Sequence, residues 1–146
     1  GARTPLLIRD PRATNSLGRT SPRVVQMIDL YPTLVELCGL PPVAGLEGRS
    51  LAPLLRDPAT PWDHPAYTVW SEDSRHFSGV AVRTERWRYA EFWGRGPGRM
   101  LLDPAADPHE TNNLAADPRH AEVVKQLSEL ARAHAAGLLP PEPAPR

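Results

Sequence analysis

Gly79-Val80-Ala81-Val82-Arg83-Thr84-Glu85-Arg86-Trp87-Arg88-Tyr89-Ala90-Glu91-Phe92-Trp93 decides the fold of the C-terminal half. Val80 and Val82 alternate with smaller or polar neighbours, and Trp87, Tyr89 and Trp93 do the same after Thr84-Glu85-Arg86. A period of two places such side chains on one face of a half-buried antiparallel sheet. The segment therefore reads as two strands joined by a tight turn. Outward on the N-terminal side, Ala66-Tyr67-Thr68-Val69-Trp70 has the β-branched and aromatic content of another strand. On the C-terminal side, Gly94–Arg99 forms a glycine- and proline-rich turn into a fourth strand at Met100-Leu101-Leu102. Short connections and no intervening helix give a small four-stranded antiparallel sheet.

Beyond the sheet, Asp103–Asn113 reads as polar turns, and Asp117-Pro118 opens a helix running to about Ala136. Val123, Val124, Leu127, Leu130, Ala131 and His134 mark its apolar face, with Glu122, Lys125, Glu129 and Arg132 lying mostly elsewhere. Gly137 ends it, and the proline-rich 137–146 reads as a disordered tail.

Upstream, Leu6-Leu7-Ile8 between Pro5 and Asp10-Pro11 reads as a short buried strand, and Arg9–Arg23 as a loop. Arg3, Arg9, Arg12, Arg19 and Arg23 face only Asp10 within residues 1–28, which leaves two readings: an anion contact or a solvated loop. Asp29 is placed to cap a short helix that carries Leu30, Leu34 and Leu37 and stops at Gly39. Cys38 at its end reads as a small buried hydrophobe, with no base or activating cation nearby in sequence. Ser50 is a cap for one helical turn burying Leu51, Leu54 and Leu55. The segments divide as 1–60, 61–136 and the tail 137–146.

Composition excludes several classes. Seventeen basic and 17 acidic residues cancel among 146, against a nucleic-acid-coating role. No apolar run reaches the roughly 18 residues of a membrane span. One cysteine makes no internal disulfide and anchors no cysteine-rich zinc site. Ten glycines and 18 prolines lie between clear apolar segments, so the chain reads as loop-rich and globular. The basic residues are 16 arginines and one lysine, Lys125. Gly1 instead of Met, with no signal-like apolar stretch after it, suggests part of a longer protein.

No local motif completes an active site. His64, His76, His109, His120 and His134 form no metal-ligand pair at motif spacing, and no phosphate-binding glycine loop or nucleophile elbow occurs. The densest polar stretch is Ser71-Glu72-Asp73-Ser74-Arg75-His76, between two strands, where either a site or a plain exposed loop is possible. Trp62, Trp70, Trp87 and Trp93 admit two readings, a sugar-stacking surface or core aromatics.

Four pieces, in order, resemble the C-terminal part of a sulfatase, most closely the iduronate-2-sulfatase-like branch of the alkaline-phosphatase-like superfamily. They are Asp29-Leu30-Tyr31-Pro32-Thr33-Leu34 with Glu36–Leu40, Leu46-Glu47-Gly48-Arg49-Ser50-Leu51 with Pro53-Leu54-Leu55, Val82-Arg83-Thr84 with Arg86-Trp87-Arg88-Tyr89, and Leu101-Leu102-Asp103 with Asp107–Leu114. Thr4–Arg9 resembles the family strand that re-enters the large sheet. The resemblance implies an α/β fold in which this α+β piece is the four-stranded sheet packed by a C-terminal helix. A strand and helices of the large α/β domain, residues 1–60, precede it.

It also implies sulfate-ester hydrolysis at a formylglycine, with calcium stabilising the sulfate oxygens. The Cys-x-Pro-Ser-Arg signature is not here: Cys38-Gly39-Leu40-Pro41-Pro42 lacks the Ser-Arg. The expectation is therefore no catalytic residue and no metal or cofactor site in this chain, with calcium and formylglycine in a missing N-terminal part. The chain alone is expected to be inactive. Its expected partners are that missing region and a sulfated small molecule or sugar, with Glu72, Arg75 and His76 as substrate contacts. The rival reading is a stand-alone, non-catalytic module binding sulfated or anionic sugars through Arg and Trp.

Overall fold

The computed structural model describes residues 4–71, 77–93 and 96–136. The chain divides into two units, Gly1–His64 and Pro65–Arg146.

In the first unit, helix α1 spans Leu30–Leu37 and α2 spans Ala52–Arg56. α1 ends as its glycine predicts. Gly39 takes φ 66°, its N–H reaches the Glu36 carbonyl at 3.0 Å, and Leu40 N–H reaches the Val35 carbonyl at 3.0 Å. These two bonds together satisfy carbonyls that a helix end leaves unpaired, in the Schellman arrangement.

The start of α1 differs from expectation. Asp29 makes no side-chain cap to α1. Its Oδ2 instead accepts from Gln26 N–H at 2.8 Å, across a 3-10 turn over Met27–Asp29, and its Oδ1 accepts from Arg49 N–H at 2.9 Å. The carboxylate is a tie between two loops, because Arg49 brings a backbone donor from 20 residues away. Thr33, almost fully buried, adds a second tie by accepting from Leu51 N–H at 2.8 Å. Gly48 packs so closely on the Ile28 carbonyl that a Cβ there would overlap it. The first two family-like pieces are thus stitched together through Asp29–Arg49, Thr33–Leu51 and Ile28–Gly48.

Four further expectations for this unit are corrected. Leu6-Leu7-Ile8 forms no strand: a ladder needs a neighbouring strand, and Leu7 is 89% exposed. The Leu30-Leu34-Leu37 face is not the buried one. Leu34 is 58% exposed, while Thr33 and Val35 turn inward. Cys38 is exposed, because the same face carries it. Ser50 is not the cap of α2 either: Leu51 takes that position without a side-chain cap, and Ser50 Oγ, one residue earlier, accepts from Ala52 N–H at 3.2 Å, with Leu51 and Leu54 buried.

In the second unit, β1 (Ala66–Ser71), β2 (Phe77–Arg83), β3 (Arg88–Phe92) and β4 (Gly98–Leu102) form one antiparallel sheet in the order β1-β2-β3-β4. The register pairs Val82 with Tyr67 and Tyr89, Tyr89 with Leu101, and Val80 with Glu91. Val80, Val82, Tyr89 and Leu101 are buried, and they pack with Val124, Leu127 and Ala131 of α3 (Ala121–His134) and with Ala135 just after it. Asp117 accepts from Arg119 N–H at 2.9 Å and starts the 3-10 turn Pro118–His120 that leads into α3.

The α3 face is narrower than its apolar residues suggest, for Leu130 is 40% exposed. His134, also exposed, stacks on the Tyr67 ring at 3.9 Å between centroids. Arg132, placed away from the packed face by pattern, reaches inward to Glu91. The proposed tail, residues 137–146, lies outside the described residues.

Candidate functional site

β1 and β3 run in one direction, β2 and β4 in the other, so the β1–β2 and β3–β4 connections share one end of the sheet. Several features converge there. The β1–β2 register shifts between Trp70 and Ser71, a bulge of the kind that re-aims a strand end. Trp70 meets Phe92 edge-on at 6.2 Å, and Phe92 sits tightly over Gly79, which pairs with both.

On the helix-facing side of this end is a groove of about 520 Å³. Phe92, Trp93 and Pro97 give it apolar walls, and Glu91, Arg99, Asn113 and Arg132 give it polar ones. Glu91 is 3% exposed, and Arg132, Ser128 and Tyr89 all donate to its carboxylate. Arg132 donates from Nε and Nη2 to Oε1 at 3.2 and 2.6 Å. Ser128 Oγ donates to Oε2 at 2.7 Å and Tyr89 Oη to the same oxygen at 3.0 Å. Arg99, opposite Glu91 in the ladder, brings an Nη2 to 3.6 Å from Oε1. Burial pushes the Glu91 carboxyl up, but Arg132, Ser128 and Tyr89 outweigh it and hold the group below its usual value. Burial pushes the Tyr89 phenol up. Glu91 is thereby an anion at neutral pH that orients two guanidiniums.

The fourth family-like piece builds the wall beside this groove. Asn113 Oδ1 accepts from Leu101 and Ala115 N–H groups, both at 3.0 Å, and its Nδ2 donates to the Arg99 carbonyl at 3.0 Å. Leu114 N–H extends the pairing to the Leu101 carbonyl at 2.8 Å. Asp107 Oδ2 accepts from Thr111 and Asn112 N–H at 2.7 and 2.9 Å. Asp103 takes Arg86 Nε at 3.1 Å, and Glu110, in the left-handed region at φ 54°, pairs with Arg88. These residues hold a loop; their oxygens are committed to it.

Of the substrate contacts read from sequence, Glu72, Arg75 and His76 lie outside the described residues. Their flanks, Ser71 and Phe77, are paired at the groove end of the sheet. Trp87 and Trp93 are half-buried against the core cluster; Trp87 also carries Arg86 over its ring at 4.4 Å, and Trp93 keeps part of its surface on the groove. Trp62 donates its indole N–H to the Val24 carbonyl at 2.9 Å. In the first unit, Arg12 pairs with Asp10 and the Leu37 carbonyl, and Arg23 with the Ala59 and Thr60 carbonyls. These two arginines of the basic segment serve the loop's own structure. Among the described residues, no three His, Cys, Asp or Glu side chains gather as a metal-ion set. No described helix is long and apolar enough to cross a membrane.

The groove residues Glu91, Arg99 and Arg132 were missed by the sequence reading. The signal for Glu91 was there: it falls on the inward parity of β3, between Tyr89 and Trp93.

Residues 1–136 match the family described as N-sulphoglucosamine sulphohydrolase, C-terminal. The chain is similar to a Delta 4,5-hexuronate-2-O-sulfatase of Bacteroides thetaiotaomicron, 36% identical over 103 residues, covering 68% of this chain and 21% of that protein. It is similar to an N-acetylglucosamine-6-O-sulfatase of the same organism, 30% identical over 88% of this chain and 24% of that protein. Among solved structures it resembles a 2-O GAG sulfatase (TM-score 0.64, 33% identity, 75% of this chain and 24% of that one). It also resembles a phosphonate monoester hydrolase of Agrobacterium radiobacter (TM-score 0.68, 28% identity, 90% of this chain and 29% of that one). The chain spans about a quarter of the length of these relatives.

Proposed function

The chain belongs to the family of N-sulphoglucosamine sulphohydrolase C-terminal regions, and on that premise we propose that the enzyme it completes hydrolyses the sulfate ester of a sugar. The match over residues 1–136 carries this reading. We assign residues 1–60 to the end of the large α/β domain and 61–136 to the terminal sheet and helix. The exposed apolar stripe of α1, Tyr31 and Leu34 with Cys38 after it, supports a packing partner in the rest of the enzyme.

Calcium and a formylglycine do not fit the described residues of this chain. Asp29, Asp103 and Asp107 spend their oxygens on backbone N–H groups and, for Asp103, Arg86. Cys38 follows a helix end and is not followed by Ser-Arg. No step of the hydrolysis runs through these groups here. Nucleophile and cation belong, in this reading, to the remainder of the enzyme.

The contribution of this chain is to complete the fold and to wall the substrate pocket, with Glu72, Arg75 and His76 as contacts. The shared position of the two hairpin connections supports that wall. The finer assignment is to the iduronate-2-sulfatase-like branch, supported by the 36% identity with the hexuronate-2-O-sulfatase.

The test is the longer protein. An in-frame upstream region carrying Cys-x-Pro-Ser-Arg, and turnover of a 2-O-sulfated uronate disaccharide by that protein but not by the 146-residue chain, is the expected outcome. Preference for a phosphonate monoester moves the parent to the neighbouring hydrolase class. Turnover of neither ester overturns the reading.

A further inference from the structure

We propose that the Arg99–Arg132 groove is a subsite for an oxyanion, a carboxylate or a sulfate, carried on a sugar ring. The charge balance comes first. Of the residues lining the groove, Glu91 is the one acid, and Arg99 and Arg132 are the two bases. The Glu91 oxygens already accept from Arg132, Ser128 and Tyr89. A net positive charge therefore faces the groove, and no lining carboxylate is left to compete with a ligand.

The geometry comes second. Arg99 is half exposed, and its guanidinium stands 3.6 Å from Glu91, beyond hydrogen-bond distance. It is held in place without being consumed. Its backbone is fixed twice, by the ladder opposite Glu91 and by Asn113 Nδ2 on its carbonyl. A guanidinium so positioned offers a fork of N–H donors of the shape that a carboxylate or sulfate accepts.

The walls come third. Trp93 and Pro97 present apolar surface beside the donors, and aromatic faces next to polar groups suit the C–H face of a pyranose. The volume, about 520 Å³, falls within the roughly 300–1,000 Å³ of small-molecule sites. The oxyanion follows from the groove itself; the choice of a sugar as its carrier rests on the function proposed above. In that arrangement Arg99 is a binding residue, and Glu91 a positioning residue acting through Arg132 and Arg99.

The experiment titrates the ¹⁵N-labelled full chain with sodium glucuronate, glucose 6-sulfate, glucose and sodium sulfate, reading the Trp93 indole and Arg99 side-chain signals. Saturable shifts with both charged sugars, at dissociation constants of about 1–10 mM, are expected, with none from glucose. Arg99→Ala should weaken both by about tenfold, and Arg99→Lys by less, with the thermal melt unchanged. Arg19→Ala, in the other unit, should change nothing. Binding of free sulfate as tight as glucose 6-sulfate overturns the ring contact. No saturable shift, or an Arg99→Ala chain that binds like wild type, overturns the subsite. Because this binding is read on the 146-residue chain, it fails independently of ester hydrolysis by the longer enzyme.

Discussion

Arg132 on α3 places two nitrogens on one oxygen of Glu91 on β3, at 3.2 and 2.6 Å, joining residues 41 apart in sequence across the helix–sheet interface. The partners differ in burial, with Glu91 almost wholly enclosed and Arg132 side chain 41% exposed. Removing Arg132 strands a buried carboxylate, so Arg132→Met should cost about 3 kcal/mol. Removing Glu91 instead leaves an arginine able to turn to water, though Ser128 and Tyr89 lose their acceptor. Glu91→Ala should therefore cost about 2 kcal/mol. Urea denaturation of both variants and of the double variant checks this. A cost for Arg132→Met below about 0.5 kcal/mol removes the pair as a stabilising element.

The same carboxylate makes stability depend on pH. Glu91 is held below 4.5, the ordinary value it regains on unfolding, burial being outweighed by Arg132, Ser128 and Tyr89. A lowered folded value means the stabilisation is complete above the unfolded value and drains away as pH falls through the folded one. Between pH 7 and 3, the melting temperature of the wild type should fall more steeply than that of Glu91→Gln. Asp117, lowered to about 2 by its hydrogen bonds to Arg119, acts in the same direction between about pH 4 and 2. Asp117→Asn should flatten that lower part of the curve. Parallel curves for wild type and Glu91→Gln would remove Glu91 from this account.

Much of the second unit was legible because its rules are local. Val80, Val82, Tyr89 and Leu101 alternate with the pleat, and Asp117-Pro118 announces a helix start. The misses are long-range. Asp29 reads as a helix cap from its neighbours, but its decisive donor is Arg49 N–H, 20 residues on. Leu6-Leu7-Ile8 reads as a strand by composition, yet a strand exists only through a partner. Leu34 and Cys38 were placed inside by helical spacing, and spacing names a face without saying what covers it. Glu91 is the instructive case. Period two places it inward, where a lone carboxylate is costly, and the donors that compensate, Ser128 and Arg132, lie on a helix about forty residues away.

Gly48 is required by contact, not by a positive φ. A Cβ there would overlap the Ile28 carbonyl, which lies in backbone and cannot swing aside as a side-chain tip does. Gly48→Ala should destabilise the first unit by about 1–3 kcal/mol, and should weaken the tie between loops by pushing Arg49 N–H away from the Asp29 carboxylate. Gly96→Ala, where nothing lies within 4 Å of the added carbon, serves as the control and should be near neutral. Chemical denaturation with amide exchange at Arg49 distinguishes them. Equal stabilities for the two variants would show that the loops slide apart at no cost.

The one cysteine reports on what α1 meets. Cys38 is exposed, in the same stripe as Tyr31 and Leu34, which are 55% and 58% exposed. Apolar side chains at helical spacing gain about 25 cal/mol for each Å² covered, so an enzyme containing this chain has reason to cover them. In the 146-residue chain, iodoacetamide should label Cys38 as fast in native buffer as after unfolding. In the longer enzyme, labelling should slow by at least about tenfold, since reaction needs access. Leu34→Asp should leave the short chain within about 0.5 kcal/mol of wild type, yet destabilise the longer enzyme by about 2 kcal/mol. Equal labelling rates in both proteins, with Leu34→Asp harmless in each, would mean that α1 faces solvent in the whole enzyme too.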